Sequence, residues 1–325
     1  MKLANIYGFL RKDLQDIENS LTETIEAEHP ILREASLQLL RAGGKRIRPV
    51  FVLLSAQFGN YKQNIEQIKS VAVALELIHM ATLVHDDVVD DAELRRGKPT
   101  IKHLYGSRVA MYTGDYILAR ALEVITTVSI PDVHHSLSKT LVKVVEGEIA
   151  QIEDKYNVEQ DLKKYLKRIK RKTALLIATS CKLGAIASGV PSQQANQLYR
   201  YGYNVGMSFQ IIDDILDFTA SPEELGKPTG SDLIQGNITI PTLFAMRDPD
   251  FLHEIKEVFK YEKEINEVDM QNILHLLHKT DAIEKSYQLS NLYLQKALQS
   301  IKPLQNNKAK KTLETIANII GKRRF

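Results

Sequence analysis

The chain has 325 residues, 44% hydrophobic and 26% charged, an ordinary balance for a globular protein with room for a large core. A formal net charge of +3 supplies no global positive field for nucleic acid. A single cysteine, Cys181, excludes an intrachain disulfide and fits a reducing compartment.

The first residues, MKLANIYGFLRKDLQDIENS, carry charge too early for a secretory signal. No run of about 18 apolar residues stands out, so no membrane span is expected. The ending GKRRF is not a prenylation signal. These features predict a cytoplasmic protein whose membrane contact is at most transient. Helical periodicity predicts helices over 4–26, 30–42, 47–58, 64–91, 108–127, 132–154, 159–188, 192–219 and 237–247, with several more between 251 and 321. Pro131, Pro191 and Pro222 fall at the breaks. Sustained alternation of apolar and polar positions is missing. The predicted class is all-α, a single domain over 1–325 folded as one large helical bundle.

In chain order, the first motif is GGKRIRP, Gly43 to Pro49, which places Lys45, Arg46 and Arg48 between glycine and proline. The flanking residues shape the loop, and its cations make it a candidate anion site. The GxxxxGK[ST] spacing of a nucleotide loop is not there. The apolar run VAVALELIHMATLVHDD then ends in Asp86, Asp87 and Asp90, spaced i, i+1, i+4. On a helix that spacing puts the first and third carboxylates on one face, one turn apart. They repel one another and sit at the negative end of the helix dipole. His79, seven positions earlier, shares that face and is a candidate substrate contact, though a lone histidine on an apolar helix is more often a core residue. Arg95 and Arg96 follow in the next loop, where guanidinium forks suit phosphate oxygens.

Lys172 and Thr173 interrupt a later apolar helix, and a cation beside a hydroxyl suits phosphate. A second acidic cluster of the same spacing, Asp213, Asp214 and Asp217, ends the run VGMSFQIIDDILDF, with Gln210 just before it. One such cluster is weak evidence for metal; two on apolar helices argue that a cation is held. Oxygen-only donors suit Mg²⁺, completed by substrate phosphate. The loop 221–236, rich in Gly and Pro, is a candidate lid, and its Lys227 is placed to close over a diphosphate. No Ser-His-Asp or Cys-His nucleophile is evident.

This constellation resembles the trans (all-E) polyprenyl diphosphate synthases, from GGKRIRP through LVHDDVVDDAELRRG and FQIIDDILD to GKPTGSDL. The resemblance implies an all-α bundle around a deep central cavity. It implies that Asp86, Asp87, Asp90 and Asp213 hold Mg²⁺ on an allylic diphosphate, with Asp214 and Asp217 supporting them. Arg95, Lys172, Thr173, Gln210 and Lys227 would contact the same diphosphate. Lys45, Arg48, His79 and Arg96 would bind isopentenyl diphosphate. Ala81 and Thr82, about one turn below the first acids, are small where short-chain members carry an aromatic floor, so a long product is implied. Within the family the chain most resembles the catalytic component of two-part hexaprenyl and heptaprenyl synthases. That group works with a small non-catalytic subunit and makes the menaquinone side chain; a homodimer is the other assembly the family offers. An octaprenyl product, a class I terpene cyclase and a non-catalytic regulatory subunit are the alternatives. The intact second DDxxD motif and GGKRIRP weigh against the last two.

Overall fold

The structure, a computed structural model, describes residues 7–95, 97–221, 228–260 and 265–323. These are overwhelmingly helical, as the apolar periodicity predicts. Packing divides the chain into two compact units: Met1–Ser138 with Thr179–Tyr199 and Leu304–Leu313, and Lys139–Ala178 with Arg200–Pro303 and Glu314–Phe325.

The first unit is organised around α4 (Ile65–Val89), whose residues from Val71 to Ile78 are all buried. α1 (Arg11–Thr24), α3 (Ile47–Ala56) and α5 (Ile101–Thr126) pack against it, and α2 (Pro30–Arg41) packs on α5. α3 is buried without interruption from Pro49 to Ala56, the mark of a helix apolar all round. α4 is long and apolar enough to cross a membrane, but 67% of its most apolar window is buried inside the protein, as befits a core helix. Glu76 and His79, read along the sequence, hide that length. α5 begins at 101 rather than 108, because the Thr100 hydroxyl caps it by accepting from the His103 N–H at 3.0 Å. Gly106, with φ 81°, kinks α5 without ending it. Between α4 and α5 lies a two-residue antiparallel pair, β1 (Leu94–Arg95) and β2 (Lys98–Pro99), too short to produce alternation in the sequence.

α6 (Pro131–Glu153), α8 (Leu175–Ala187) and α9 (Ser192–Thr219) each contribute residues to both units. Inside the first unit α8 meets α3 at Gly184. A Cβ there would lie 2.2 Å from the Val52 carbonyl oxygen, so only glycine permits that approach. Cys181 is wholly buried nearby, and burial pushes its thiol up to about 12, outweighing a Ser55 hydrogen bond. It is a core residue and no nucleophile at neutral pH.

In the second unit, α7 (Leu162–Ile169) runs through a π-turn (Lys170–Ala174) into α8. A continuous helix over 159–188 was expected. Then come α10 (Ser231–Ile234), α11 (Ile240–Ala245), α12 (Pro249–Phe259), α13 (Glu267–Lys279) and α14 (Ala282–Ile301). Phe218, Leu233, Ile238, Phe251, Ile255 and Ile273 lie in one apolar cluster that closes this unit's core. α15 (Lys308–Gly321) ends the chain's described helices. α10 falls inside the stretch expected to be a loop; residues 222–227 of that stretch, Lys227 included, lie outside the described residues, as does Arg96.

Candidate active site

In the first unit the basic loop turns between α2 and α3. Gly43 has φ 76° and Arg46 φ 47°, so two residues adopt the left-handed conformation in one short loop. Lys45 is exposed and Arg48 half-buried. Arg46 behaves differently from its neighbours, because its guanidinium is turned onto protein carboxylates. Its Nε and one Nη donate to the two Glu18 oxygens at 2.7 Å each, and the other Nη reaches Glu76 at 3.2 Å.

Asp86 and Asp87 lie in the last turn of α4, and Asp90 is its C-cap. Asp86 and Asp90 are half-buried, whereas Asp87 is only 4% exposed. Arg95 answers that burial: its Nε and an Nη lie 2.8 and 2.7 Å from Asp87 Oδ1. Two residues expected on opposite sides of a metal–diphosphate contact therefore neutralise each other. Asp91 is a solvated helix-end residue, as its place outside the repeat suggests, and bonds to Lys102. His79 is half-buried one turn beyond Glu76. Ala81 is 1% exposed; Thr82 is half-buried and its hydroxyl donates to the His79 carbonyl at 2.8 Å.

The second unit carries a hydrogen-bonded chain through the second acidic cluster. The π-turn contains Lys172 and Thr173, and such bulges often mark functional positions. Thr173 donates to Gln210 Oε1 at 2.6 Å, and Gln210 Nε2 donates to Asp214 Oδ1 at 2.8 Å. Tyr165, wholly buried, donates its hydroxyl to Asp214 Oδ2 at 2.7 Å. Lys172 is held apart from this chain by Gln151 Oε1 on α6 at 2.9 Å. Burial, and then the charge of Asp232, raises the Asp214 carboxyl to about 7, against the pull of Gln210, Tyr165 and Arg168. Burial and Asp214 together push the Tyr165 hydroxyl well above its usual range. Arg168 stands 5.7 Å from the Tyr165 ring and bonds to Gln160 and to the Ile238 carbonyl.

The three acids of this cluster thus have distinct surroundings. Asp214 is an inner group with both oxygens engaged. Asp217 also faces protein donors: Ser231 at 2.9 Å and the Asp232 N–H at 3.1 Å, while its carbonyl accepts from Gly230 at 2.7 Å. It pins the start of α10 to the end of α9. Asp213 is the accessible one, its side chain 37% exposed and paired with Arg323 at 3.2 Å. The Arg323 guanidinium lies 5.5 Å from the Phe209 ring. Gln151, Tyr165 and Arg323 were not singled out from the sequence. Tyr165 and Gln151 lie in ordinary helical runs, and Arg323 is 110 positions from its partner.

These donors fit a hard divalent cation. Asp213 already attracts a cationic group, and the acids offer oxygen only. Among the described residues no three acidic, His or Cys side chains converge on one point. An ion here would therefore be completed by water and substrate phosphate, the usual habit of Mg²⁺.

A family model described as polyprenyl synthetase matches residues 29–277. Heptaprenyl diphosphate synthase component 2 of Bacillus subtilis (strain 168) is 56% identical over 325 residues, covering 100% of this chain and 92% of that protein. The crystal structure of heptaprenyl diphosphate synthase from Staphylococcus aureus superposes with a TM-score of 0.92 at 42% identity, covering 99% of each chain. That of a polyprenyl synthase from Caulobacter crescentus CB15, complexed with calcium and isoprenyl diphosphate, reaches 0.93 at 28% identity, covering 100% of this chain and 98% of that one. The basic loop, both acid-ended helices and the Lys172–Thr173 turn all fall inside the matched span, and the chain belongs to the polyprenyl synthetase family.

Proposed function

We propose that the chain is the catalytic component of a heptaprenyl diphosphate synthase, extending an allylic diphosphate with isopentenyl diphosphate for the menaquinone side chain. The observation that carries this reading is the full-length likeness to the Bacillus component 2, 56% identical over 325 residues. Both units act as one synthase domain over 1–325, a reading supported by a family match that takes in residues of each.

Asp86 and Asp90 in the first unit and Asp213 in the second would supply oxygen donors to the metal, while Asp87, Asp214 and Asp217 set the positions of their neighbours. The ion is Mg²⁺, favoured over calcium by the preference of compact oxygen sites that keep several waters. When bound, it supplies a Lewis acid that takes up negative charge on the departing diphosphate. Arg95, Lys172, Thr173, Gln210 and Lys227 grip that diphosphate; the existing Thr173–Gln210 hydrogen bond supports a shared task for two of them. Donors aimed where charge develops lower the barrier to ionisation. Lys45, Arg48, His79 and Arg96 orient isopentenyl diphosphate so that its double bond attacks the allylic carbon. The proton then lost can pass to the released diphosphate.

The test is incubation with farnesyl diphosphate, labelled isopentenyl diphosphate and Mg²⁺, with and without a small partner subunit, followed by product sizing. A linear heptaprenyl product is expected. A cyclic product, or no incorporation of label under either condition, would overturn the reading.

Product length offers a separate check. Thr82→Phe will shorten the chain by one or more isoprene units, since Thr82 is only half-buried and a ring there can enter the product's path. Ala81→Phe will shorten it too but will also cost about 1–3 kcal/mol of stability, because Ala81 is already packed. An unaltered product distribution in Thr82→Phe would remove this position from the tunnel.

A partner is the second expectation. Val142, Val145, Ile149 and Ile152 recur along one face of α6 and are 57, 64, 54 and 47% exposed. Such a stripe favours a partner surface, and the name of the Bacillus relative, a component 2, supports a different subunit over a second copy. Val145→Asp together with Ile149→Asp will dissociate the assembly in sedimentation and reduce long-chain synthesis about tenfold or more. Intact assembly in the double variant would place the partner elsewhere. The reading implies a cytoplasmic enzyme that releases its product to a membrane.

A further inference from the structure

We propose that Arg46 is the positioning residue of the basic loop, clamped by Glu18 and Glu76 so that Lys45 and Arg48 are presented to the diphosphate of isopentenyl diphosphate. The inference rests on the functional reading above and adds three residues that the reading does not use.

By composition Arg46 is the middle cation of three, and nothing in GGKRIRP distinguishes it. In the fold it is already committed. Glu18 takes it in a two-pronged bond, Glu76 takes the remaining Nη, and the Leu40 carbonyl accepts at 3.4 Å. All three guanidinium nitrogens are engaged, and the side chain is 15% exposed. A guanidinium so occupied has no edge left for a substrate anion. Burial lowers its pKa, yet the Glu18 bonds and the charge of Glu76 leave it above the ordinary value. It is a fixed cation with a structural task.

That task is visible in the backbone. Arg46 is the N-cap of α3 and sits at φ 47°, ψ 39°, a left-handed conformation that crowds the Cβ of any residue but glycine. Such a conformation persists only where surrounding contacts over-determine it, and it clusters at ligand clamps. Here the contacts are the two carboxylates. Glu18 comes from α1, and Glu76 from α4, one turn before His79. A single guanidinium therefore ties the turn that carries Lys45, and the start of α3 that carries Arg48, to the helix that carries His79. Glu76 is 3% exposed, and its Oε2 has no hydrogen-bond partner among the described residues, so Arg46 is the charge that makes its burial tolerable.

Two variants separate positioning from general damage. Arg46→Lys keeps the charge but cannot form the fork. Glu18→Gln keeps size and leaves the Arg46–Glu76 pair, and Glu18 is exposed enough for the protein to fold. Binding of isopentenyl diphosphate to the full-length chain is measured by calorimetry without allylic substrate. Binding of a non-ionisable farnesyl diphosphate analogue is measured in parallel, with Mg²⁺ present. The expected result is about tenfold weaker isopentenyl diphosphate binding in both variants, the cost of a loop slightly out of place, with the analogue's affinity unchanged. Unchanged isopentenyl diphosphate affinity in both variants, or equal weakening for both ligands, would overturn the proposal. Lys45→Ala is the control: if it weakens isopentenyl diphosphate binding while the clamp variants do not, the clamp alone fails. If Lys45→Ala has no effect, or the wild type does not bind isopentenyl diphosphate, the functional reading of the loop falls and the clamp with it.

Discussion

Asp213→Ala will lower turnover about a thousandfold while leaving the melting temperature nearly unchanged. The two halves of this expectation have different causes. Removing an oxygen donor from an ion that carries developing charge forfeits about 4 kcal/mol of transition-state stabilisation. The folded protein loses only a half-exposed pair with Arg323, and pairs of that kind are worth about 1 kcal/mol or less. Asp86→Ala should match it. Asp217→Asn will behave otherwise, because the Asp217 carboxylate holds Ser231 and the Asp232 N–H at the start of α10. Its loss loosens the segment after residues 222–227 and should raise KM for the allylic substrate as well as lower kcat. Steady-state kinetics with Mg²⁺ held in excess, beside thermal melts, will distinguish the variants. Retention of more than a tenth of wild-type turnover by Asp213→Ala would sink its assignment as a metal ligand.

Gly184→Ala will destabilise the protein by about 3 kcal/mol, although it adds one methyl group at an ordinary helical position. That methyl would sit 2.2 Å from the Val52 carbonyl oxygen and 2.8 Å from its carbon and Cα. All three are backbone atoms of α3, a helix buried on every side, so no side chain can rotate away. α8 and α3 would have to separate, and interiors packed at crystal-like density do not absorb that. A fall of about 6 °C or more in melting temperature is expected. Gly8→Ala is the control, since a Cβ there meets nothing within 4 Å. Melting within a degree of wild type for Gly184→Ala would mean that α8 and α3 are not in this close approach.

Much of the architecture was legible because it rests on local pattern. α4 and the later part of α9 are apolar on nearly every face, so their burial follows from composition and periodicity, and each acidic triplet lies where its apolar run ends. The caps Asp161, Asp248 and Asn266, each accepting from a first-turn N–H, were not among the sequence expectations. The misreadings are also local in origin. The helix expected from 108 begins at 101, where Thr100 caps it, and the polar stretch before residue 236 concealed α10. The π-turn gave no signal, since Lys172 and Thr173 fit an unbroken helical pattern as well as a bulged one.

Residue type and spacing by themselves determined the fold class, the two acidic helix ends and the chemistry of hard cations and diphosphate. What each charged residue does was decided by tertiary structure. Arg46, Arg95 and Arg323 are alike in the sequence, yet one is saturated by Glu18 and Glu76, one neutralises buried Asp87, and one rests on accessible Asp213. Asp213, Asp214 and Asp217 belong to one motif, yet the first is accessible and paired with Arg323 while the other two are buried among protein donors. The physical reason is that a charge in a folded protein takes its role from burial and from partners that arrive from remote positions, 28 residues away for Glu18 and 110 for Arg323. Helical periodicity carries no information about which of those partners will meet.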